Sequence, residues 1–372
     1  MKKLRFDPIL LIGVLFLCFI GCIFVYSASK YVAQRDYNDQ YYFLKKQLIG
    51  YFLGWIGFFI ASFFDYRKLR KYSKLIFFIS LIMLALVLTP LGKESYGAKR
   101  WIGIGSFTIQ PSEIAKLAFV IFSASYLSND ISKVKTFLGI TPVLIAGGIT
   151  CLLIIAEPNM SITVCVGVLM FAILFFAGMK IKHLLFIFIP VFALLPLLII
   201  TEPYRLKRLM AFLDPWAAPK GEGYQLIQSL YALGSGGLFG VGLFKSKQNQ
   251  RFLPFAESDF ILSVIGEESG FFGICILFAI CGLIMWRIIA TAKASSDFFG
   301  YLLSIGIACI FIIQVAVNAL VVTGSIPPTG LPFPLVSSGN TQIIIFLTSF
   351  GIINNVHRNN FSNKVTKYML LS

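Results

Sequence analysis

Apolar positions in this chain gather into long uninterrupted runs separated by short polar breaks. Pro8 to Ser29, Thr136 to Ala156 and Phe298 to Gln342 carry no charged residue at all. A helix needs about 20 apolar residues to cross about 30 Å of hydrocarbon, and each run is long enough. Cutting the runs at their charged breaks predicts ten spans, near 8–28, 48–64, 75–91, 113–127, 136–156, 160–178, 183–200, 260–286, 298–322 and 336–356. The fourth is short and holds Glu113 and Lys116. The turns Glu157-Pro158-Asn159 and Lys180-Ile181-Lys182 divide what would otherwise be one apolar block into three. The pattern predicts an all-α integral membrane protein: a polytopic bundle of about ten transmembrane helices, one membrane domain over 1–372.

Composition agrees, with 58% apolar and 13% charged residues, where soluble chains run near 25% charged. The basic start Met1 to Asp7 followed by an apolar run superficially resembles a signal peptide. That run is of spanning length and nine more follow, so it reads as a first span. All seven cysteines fall inside apolar runs, without metal-ligand spacing to either His183 or His357, and read as small hydrophobes. The net charge of +16 reads as Lys and Arg gathered in cytoplasmic loops, not as a nucleic-acid surface. With the N-terminus inside, the inner segments hold 17 Lys/Arg and the outer ones 14 over roughly twice the length. Both termini, including a tail at 357–372, are therefore expected in the cytoplasm.

One segment breaks the rhythm. Residues 201–259 form an extracytoplasmic loop too long for a connector, with turn residues at Asp214-Pro215-Trp216 and a glycine-rich stretch at Gly234-Ser235-Gly236-Gly237. Tyr224 to Leu233 between them predicts an amphipathic helix at the membrane surface. The proline-rich stretch Pro327 to Pro334 cannot continue a helix and predicts either a re-entrant cavity wall or a rigid outer turn.

Charges at bilayer depth are expensive and so are functional candidates. Glu113 and Lys116 share a helix face: either a locally satisfied ion pair, or a cation turned toward an anionic ligand, with Arg100-Trp101 just before it. Asp259 lies where a polar loop enters a span. It reads either as a helix cap shared with Ser258 or as a partly desolvated general base. Glu267 and Glu268 are placed two turns deeper, as a structural pair or as chemistry.

The motifs Gly97-Ala98-Lys99-Arg100-Trp101-Ile102 and Gln110-Pro111-Ser112-Glu113-Ile114-Ala115-Lys116 resemble the hallmark of the SEDS family (shape, elongation, division and sporulation). The likeness continues through Tyr204-Arg205, Phe212 to Trp216, Gly223-Tyr224-Gln225, Gly236 to Gly242, Ser258-Asp259-Phe260-Ile261 and Gly266-Glu267-Glu268, and ends at Pro328-Thr329-Gly330-Leu331-Pro332. The Asp-Pro-Trp and Gly-Tyr-Gln phrases look more like the cell-division branch (FtsW-type) than the elongation branch. The chain departs from the family pattern at Glu157-Pro158-Asn159, where Gln-Pro-Asp is usual. It departs also at Glu257-Ser258-Asp259-Phe260, where His-Thr-Asp-Phe is usual, and at Ser337 to Thr341.

The resemblance implies a peptidoglycan glycosyltransferase of the bacterial inner membrane that polymerises lipid II at the division septum. Its expected partners are lipid II, the nascent glycan strand, a class B penicillin-binding transpeptidase and other divisome membrane proteins. Asp259 is the expected catalytic base. Arg100, Trp101, Glu113, Lys116, Arg205, Gln225, Glu257 and Ser258 are the expected substrate-binding residues. No cofactor is required by this reading, although it leaves room for a divalent cation. A lipid II flippase built on the same cavity is the rival reading.

Overall fold

The computed structural model describes residues 6–95, 98–104, 107–200, 203–221, 223–248 and 252–369. Twelve helices follow in chain order: α1 (Pro8–Tyr37), α2 (Tyr42–Phe63), α3 (Arg67–Val87), α4 (Pro111–Asn129), α5 (Phe137–Ala156), α6 (Met160–Phe176), α7 (Ile181–Ile200), α8 (Pro203–Leu213), α9 (Tyr224–Gly236), α10 (Ile261–Lys293), α11 (Phe298–Val322) and α12 (Asn340–Met369). All but α8 and α9 are 17 to 33 residues long, and these ten coincide with the ten expected spans. Five of them are by themselves long and apolar enough to cross a membrane. Large apolar side chains such as Phe16, Phe19, Phe52 and Phe78 stay exposed, as they must where the solvent is lipid.

Local sequence sets the helix ends. Asp7 caps α1 by accepting from the Ile9 and Leu10 N–H groups, with Pro8 at the first helical position, and Asn38 stops the helix in the left-handed conformation. Thr136, Asn159 and Asp297 cap α5, α6 and α11 in the same way. Helices α2 and α12 pack closely because α2 offers them no bulk. A Cβ on Gly54 would stand 2.5 Å from Leu347 Cδ1, and one on Gly57 would stand 2.3 Å from Thr348 Oγ1.

Two ends of the bundle can be told apart by their contacts. At one, the Asp7 N–H donates to Asn354 Oδ1 (2.9 Å) while Arg287 Nε and Nη2 donate to Asp7 Oδ2 (2.9 and 2.7 Å), joining α1, α10 and α12. Ser27 lies 20 residues further along α1, about 30 Å at 1.5 Å per residue, which is the thickness of the hydrocarbon layer. The Ser27 end therefore lies at the opposite face.

Residues 92–112, between the third and fourth expected spans, contain a small antiparallel sheet of β1 (Gly92–Ser95), β2 (Ala98–Ile104) and β3 (Phe107–Ile109) in the order β1-β2-β3. Gly97 lies outside the described residues. The strand ladder satisfies backbone groups that a bare loop folded over α3 and α4 would leave unpaired.

A second difference concerns α10. Gly270 has φ 67 and ψ −167, so the helix breaks there into 261–269 and 271–293. Loop 237–242 fills the break: the Val241 N–H donates to Glu267 O, and the Phe271 N–H to Gly237 O, both at 2.9 Å. A Cβ on residue 270 would meet Gly240 N at 2.4 Å, so the crossing requires glycine. The break lifts Glu267 and Glu268 out of the depth expected for them, to the Ser27 end of the bundle. Ser27 Oγ donates to Glu268, and Glu267 accepts from Ser246 Oγ and from the Lys247 and Gln248 N–H groups (2.9 and 3.4 Å). Both carboxyl groups thus anchor residues 246–248, just after the glycine-rich loop.

Candidate active site

The Ser27 end gathers the irregular elements: the sheet, the turn between α5 and α6, the loop before α10 and the proline segment before α12. Asp259 sits among them, half-buried, in the turn that leads into α10. It does not cap that helix. Phe260 holds the cap position, without any side-chain hydrogen bond, which leaves the Asp259 carboxylate available for other work. Asn318 of α11 fixes the local backbone, its Nδ2 donating at 2.8 Å to both Asp259 O and Leu331 O. Gly330 lies against the carboxylate, and a Cβ there would stand 3.1 Å from Asp259 Oδ2.

The proline segment closes the wall around this point. Ser337 Oγ donates to Ser258 O, the Ser338 N–H to Glu257 O (2.8 Å), and Gln342 Nε2 to Pro332 O (2.9 Å). Ser161 Oγ, at the start of α6, donates to Thr329 O. This is the non-helical backbone expected of a cavity wall, with its polar groups bound by neighbouring protein.

Charge around Asp259 is mixed. Burial pushes its carboxyl up to about 6, while a hydrogen bond from Ser258 and the Arg208 and Arg100 guanidinium groups pull it down. A base that titrates there is largely ionised at neutral pH yet still holds a proton usefully. Burial also raises the neighbouring Glu257 carboxyl, with repulsion from Asp259 adding to it. Arg100 is shared: its Nε donates to Glu157 O (3.4 Å) and its Nη2 to Pro158 O, so β2 is pinned to the α5–α6 turn. The Glu157 carboxyl beside it is fully buried with no hydrogen-bond partner on either oxygen among the described residues, and burial lifts it to about 8 against the pull of Arg100.

The match to known proteins covers this same architecture. The chain fits the cell cycle protein family of FtsW, RodA and SpoVE over residues 8–362. It belongs to that family. Stage V sporulation protein E of Bacillus subtilis (strain 168) is 39% identical over 360 residues, covering 96% of this chain and 98% of the relative. The probable peptidoglycan glycosyltransferase FtsW of Geobacter sp. (strain M18) is 37% identical over 350 residues, covering 94% and 95%. Among solved structures, a chain from a work titled structural coordination of polymerization and crosslinking by a peptidoglycan synthase complex superposes with a TM-score of 0.81. It is 28% identical, with 96% of this chain and 99% of that one covered. The rod shape determining protein RodA of Thermus thermophilus gives 0.73 at 27% identity, covering 97% and 99%.

Within this FtsW/RodA/SpoVE-family chain the expected site residues are not all together. Arg100, Glu257, Ser258 and Asp259 meet. Trp101 lies beside Arg100 on β2, paired in register with Lys93. Arg205 lies on α8, three residues before Arg208, and of these two it is Arg208 whose charge acts on Asp259. Gln225 stands half-buried in the first turn of α9. Lys116 is 1% exposed and its Nζ donates to Glu113 Oε1 at 2.9 Å, so the two form a closed pair within α4. Helix α9 itself runs as expected and extends to Gly236. It buries Leu226, Ile227 and Ala232 within the protein rather than lying free on a surface. Arg208, Asn318 and Gly330 escaped the sequence reading as site residues. Arg208 had a signal, its i, i+3 spacing from Arg205, whereas Asn318 sits in an apolar run and had none.

Among the described residues no three carboxylate, thiol or imidazole groups converge as a metal-binding cluster. Among these residues the side chains at Asp259 do not form a protein cage for a divalent cation.

Proposed function

We propose that this chain is a peptidoglycan glycosyltransferase of the cell-division branch, polymerising lipid II into β-1,4 glycan at the outer face of the cytoplasmic membrane. The observation that carries the reading is Asp259: a carboxylate freed from capping, held near pH 6, and faced by two guanidinium groups. The glucosamine 4-hydroxyl of lipid II gives its proton to Asp259. Its oxygen bonds to the anomeric carbon of the lipid-linked glycan as the bond to the diphosphate oxygen breaks. A single displacement inverts the α-linked donor to a β-linked product and needs one base and no covalent enzyme intermediate. General-base help of this kind contributes about 10²–10⁴-fold.

Undecaprenyl diphosphate is a good leaving group that wants positive charge, which Arg100 and Arg208 supply. Trp101, Arg205 and Gln225 are assigned to the glycan and headgroup around it. Glu113 and Lys116 are assigned a structural role, as a mutually neutralised pair buried within α4.

The Asp7 end, with both termini, is assigned to the cytoplasm by the Lys/Arg distribution, and the Asp259 end to the outside. The septum is the assigned location. A class B penicillin-binding transpeptidase is the assigned partner, in keeping with the synthase complex to which the fold is similar. The test is purified protein with labelled lipid II. Glycan chains support the polymerase. Movement of lipid II across vesicle membranes without chain formation would overturn it in favour of a flippase.

A further inference from the structure

A cavity of about 450 Å³ opens far from Asp259, at the Asp7 end of the bundle, lined by Arg67, Arg70, Ser296, Asp297 and Phe299. Its place is fixed by Asn355, whose Oδ1 accepts from the Tyr66 N–H at 3.0 Å one residue after the Asn354 that binds Asp7. The volume falls within the usual ligand range of about 300–1,000 Å³.

The cations in this cavity are held in place but incompletely neutralised. Arg70 donates to Asn129 Oδ1 (2.6 and 3.2 Å) and to Ser128 O (3.5 Å), acceptors that orient a guanidinium without cancelling its charge. Arg67 has Asp297 at 3.6 Å. That carboxylate already accepts from Tyr66 Oη and from the Gly300 N–H (2.6 Å) as the cap of α11. Arg67 therefore leans on a carboxylate already committed elsewhere, with Asp65 acting from further off, and Arg70 has no carboxylate at ion-pair distance among the described residues, while Lys68, Lys71 and Lys74 continue the positive charge along α3.

A second cavity of about 220 Å³ lies on the other side of Tyr66 and is of opposite character. Gly57, Ile60, Ala61 and Phe64 of α2 and its end, with Leu69 of α3 and Ile352 of α12, form an apolar groove. Ile60 and Phe64 are exposed there at 64% and 42%. Tyr66 divides the two spaces: it lines the groove and stacks on Phe299 of the polar cavity, with centroids 6.2 Å apart. Fixed cations at the end of a membrane bundle, with an open apolar groove beside them, are complementary to a molecule with an anionic head and a hydrocarbon tail. A soluble anion has no use for the groove, and a zwitterionic lipid offers no net charge to the arginines.

We propose that this paired cavity is a binding site for an anionic phospholipid, with its phosphate between Arg67 and Arg70 and an acyl chain along the α2–α12 groove. The site lies about a bilayer thickness from Asp259 and does not depend on the polymerase reading.

The experiment titrates purified full-length protein in detergent with phosphatidylglycerol, with phosphatidylcholine of the same chains, and with glycerol 3-phosphate, reading bound lipid by native mass spectrometry. Phosphatidylglycerol should bind, and its affinity should fall roughly tenfold for each guanidinium removed in Arg67→Gln and Arg70→Gln. Ala61→Phe, which fills the groove and leaves both arginines, should weaken the same lipid, and keeps the test decisive if an arginine variant misfolds. Equal binding of phosphatidylcholine, binding of glycerol 3-phosphate as tight as that of the lipid, or unchanged affinity in the variants would overturn the proposal.

Discussion

Asn318 offers the sharpest test of how the site is held together. Its buried side-chain amide donates at 2.8 Å to the carbonyl oxygens of Asp259 and Leu331, so one residue sets the spacing between Asp259 and the proline wall. Asn318→Ala removes both donors. Each lost bond is worth about 1 kcal/mol net, and a buried carbonyl left unpaired costs about 1–3 kcal/mol more. With water reaching the half-exposed Asp259 carbonyl, only the Leu331 carbonyl is left unpaired and the sum is about 3–5 kcal/mol, which a stable bundle survives. The catalytic cost should be larger in proportion, since misplacement of a reacting group by about 1 Å can lower a rate about 10²-fold. Asn318→Asp is the companion: it keeps the shape but aims acceptor at acceptor, and should fare no better than alanine. Glycan formation from lipid II and thermal unfolding in detergent would be measured side by side. A rate loss far exceeding the change in folded fraction is expected. Full turnover in either variant, or a loss fully explained by unfolding, would refute the reasoning.

Three further outcomes follow from other parts of the structure. Lys116→Met should destabilise the protein by about 3–5 kcal/mol by stranding the Glu113 carboxylate, and Glu113→Gln added to it should restore the melting temperature and polymerisation. Polymerisation that stays lost in a thermally restored double variant would instead make Lys116 a ligand contact. Glu157 has its carboxyl raised from 4.5 to about 8, so the folded state favours the protonated form; the stability this group contributes is fully present below 4.5, falls as pH climbs, and is gone above about 8. Glu157→Gln, which mimics the protonated acid, should match the parent melting temperature near pH 5 and exceed it at pH 9, and a pH-independent difference would contradict this. Reporter fusions after Lys71 and after Ser372 should read cytoplasm, and one at Lys220 the outer side; a cytoplasmic signal at Lys220 would reverse the layout.

The ten long helices were legible because apolar run length is a local property that the bilayer enforces directly. Asp259 was legible too, as a carboxylate where loop becomes span. The features missed depend on partners distant in sequence. Gly270 follows Glu267-Glu268-Ser269 inside an expected span with no proline to mark a break, and only the return of loop 237–242 makes the break stable. Glu267 and Glu268 were therefore read as deeper than they are. The sheet at 92–109 was hidden by its short strands, whose pairing rather than composition defines them. Asn318 looked like one polar residue in a spanning helix, and its role appears only when residues 259 and 331 arrive beside it.

The central claim is that Asp259 takes the proton from the sugar hydroxyl. Asp259→Asn preserves size and the backbone bond to Asn318 while removing the basic group. It should be compared with the parent for glycan formation between pH 5 and 8, with thermal stability and transpeptidase binding as controls. The parent rate should climb as pH rises through about 6, as the carboxyl ionises. The variant should be at least about 10²-fold slower at every pH, with both controls intact. Glycan made by the asparagine variant at the parent rate would contradict the account and place the base elsewhere, with Glu257 the nearest candidate.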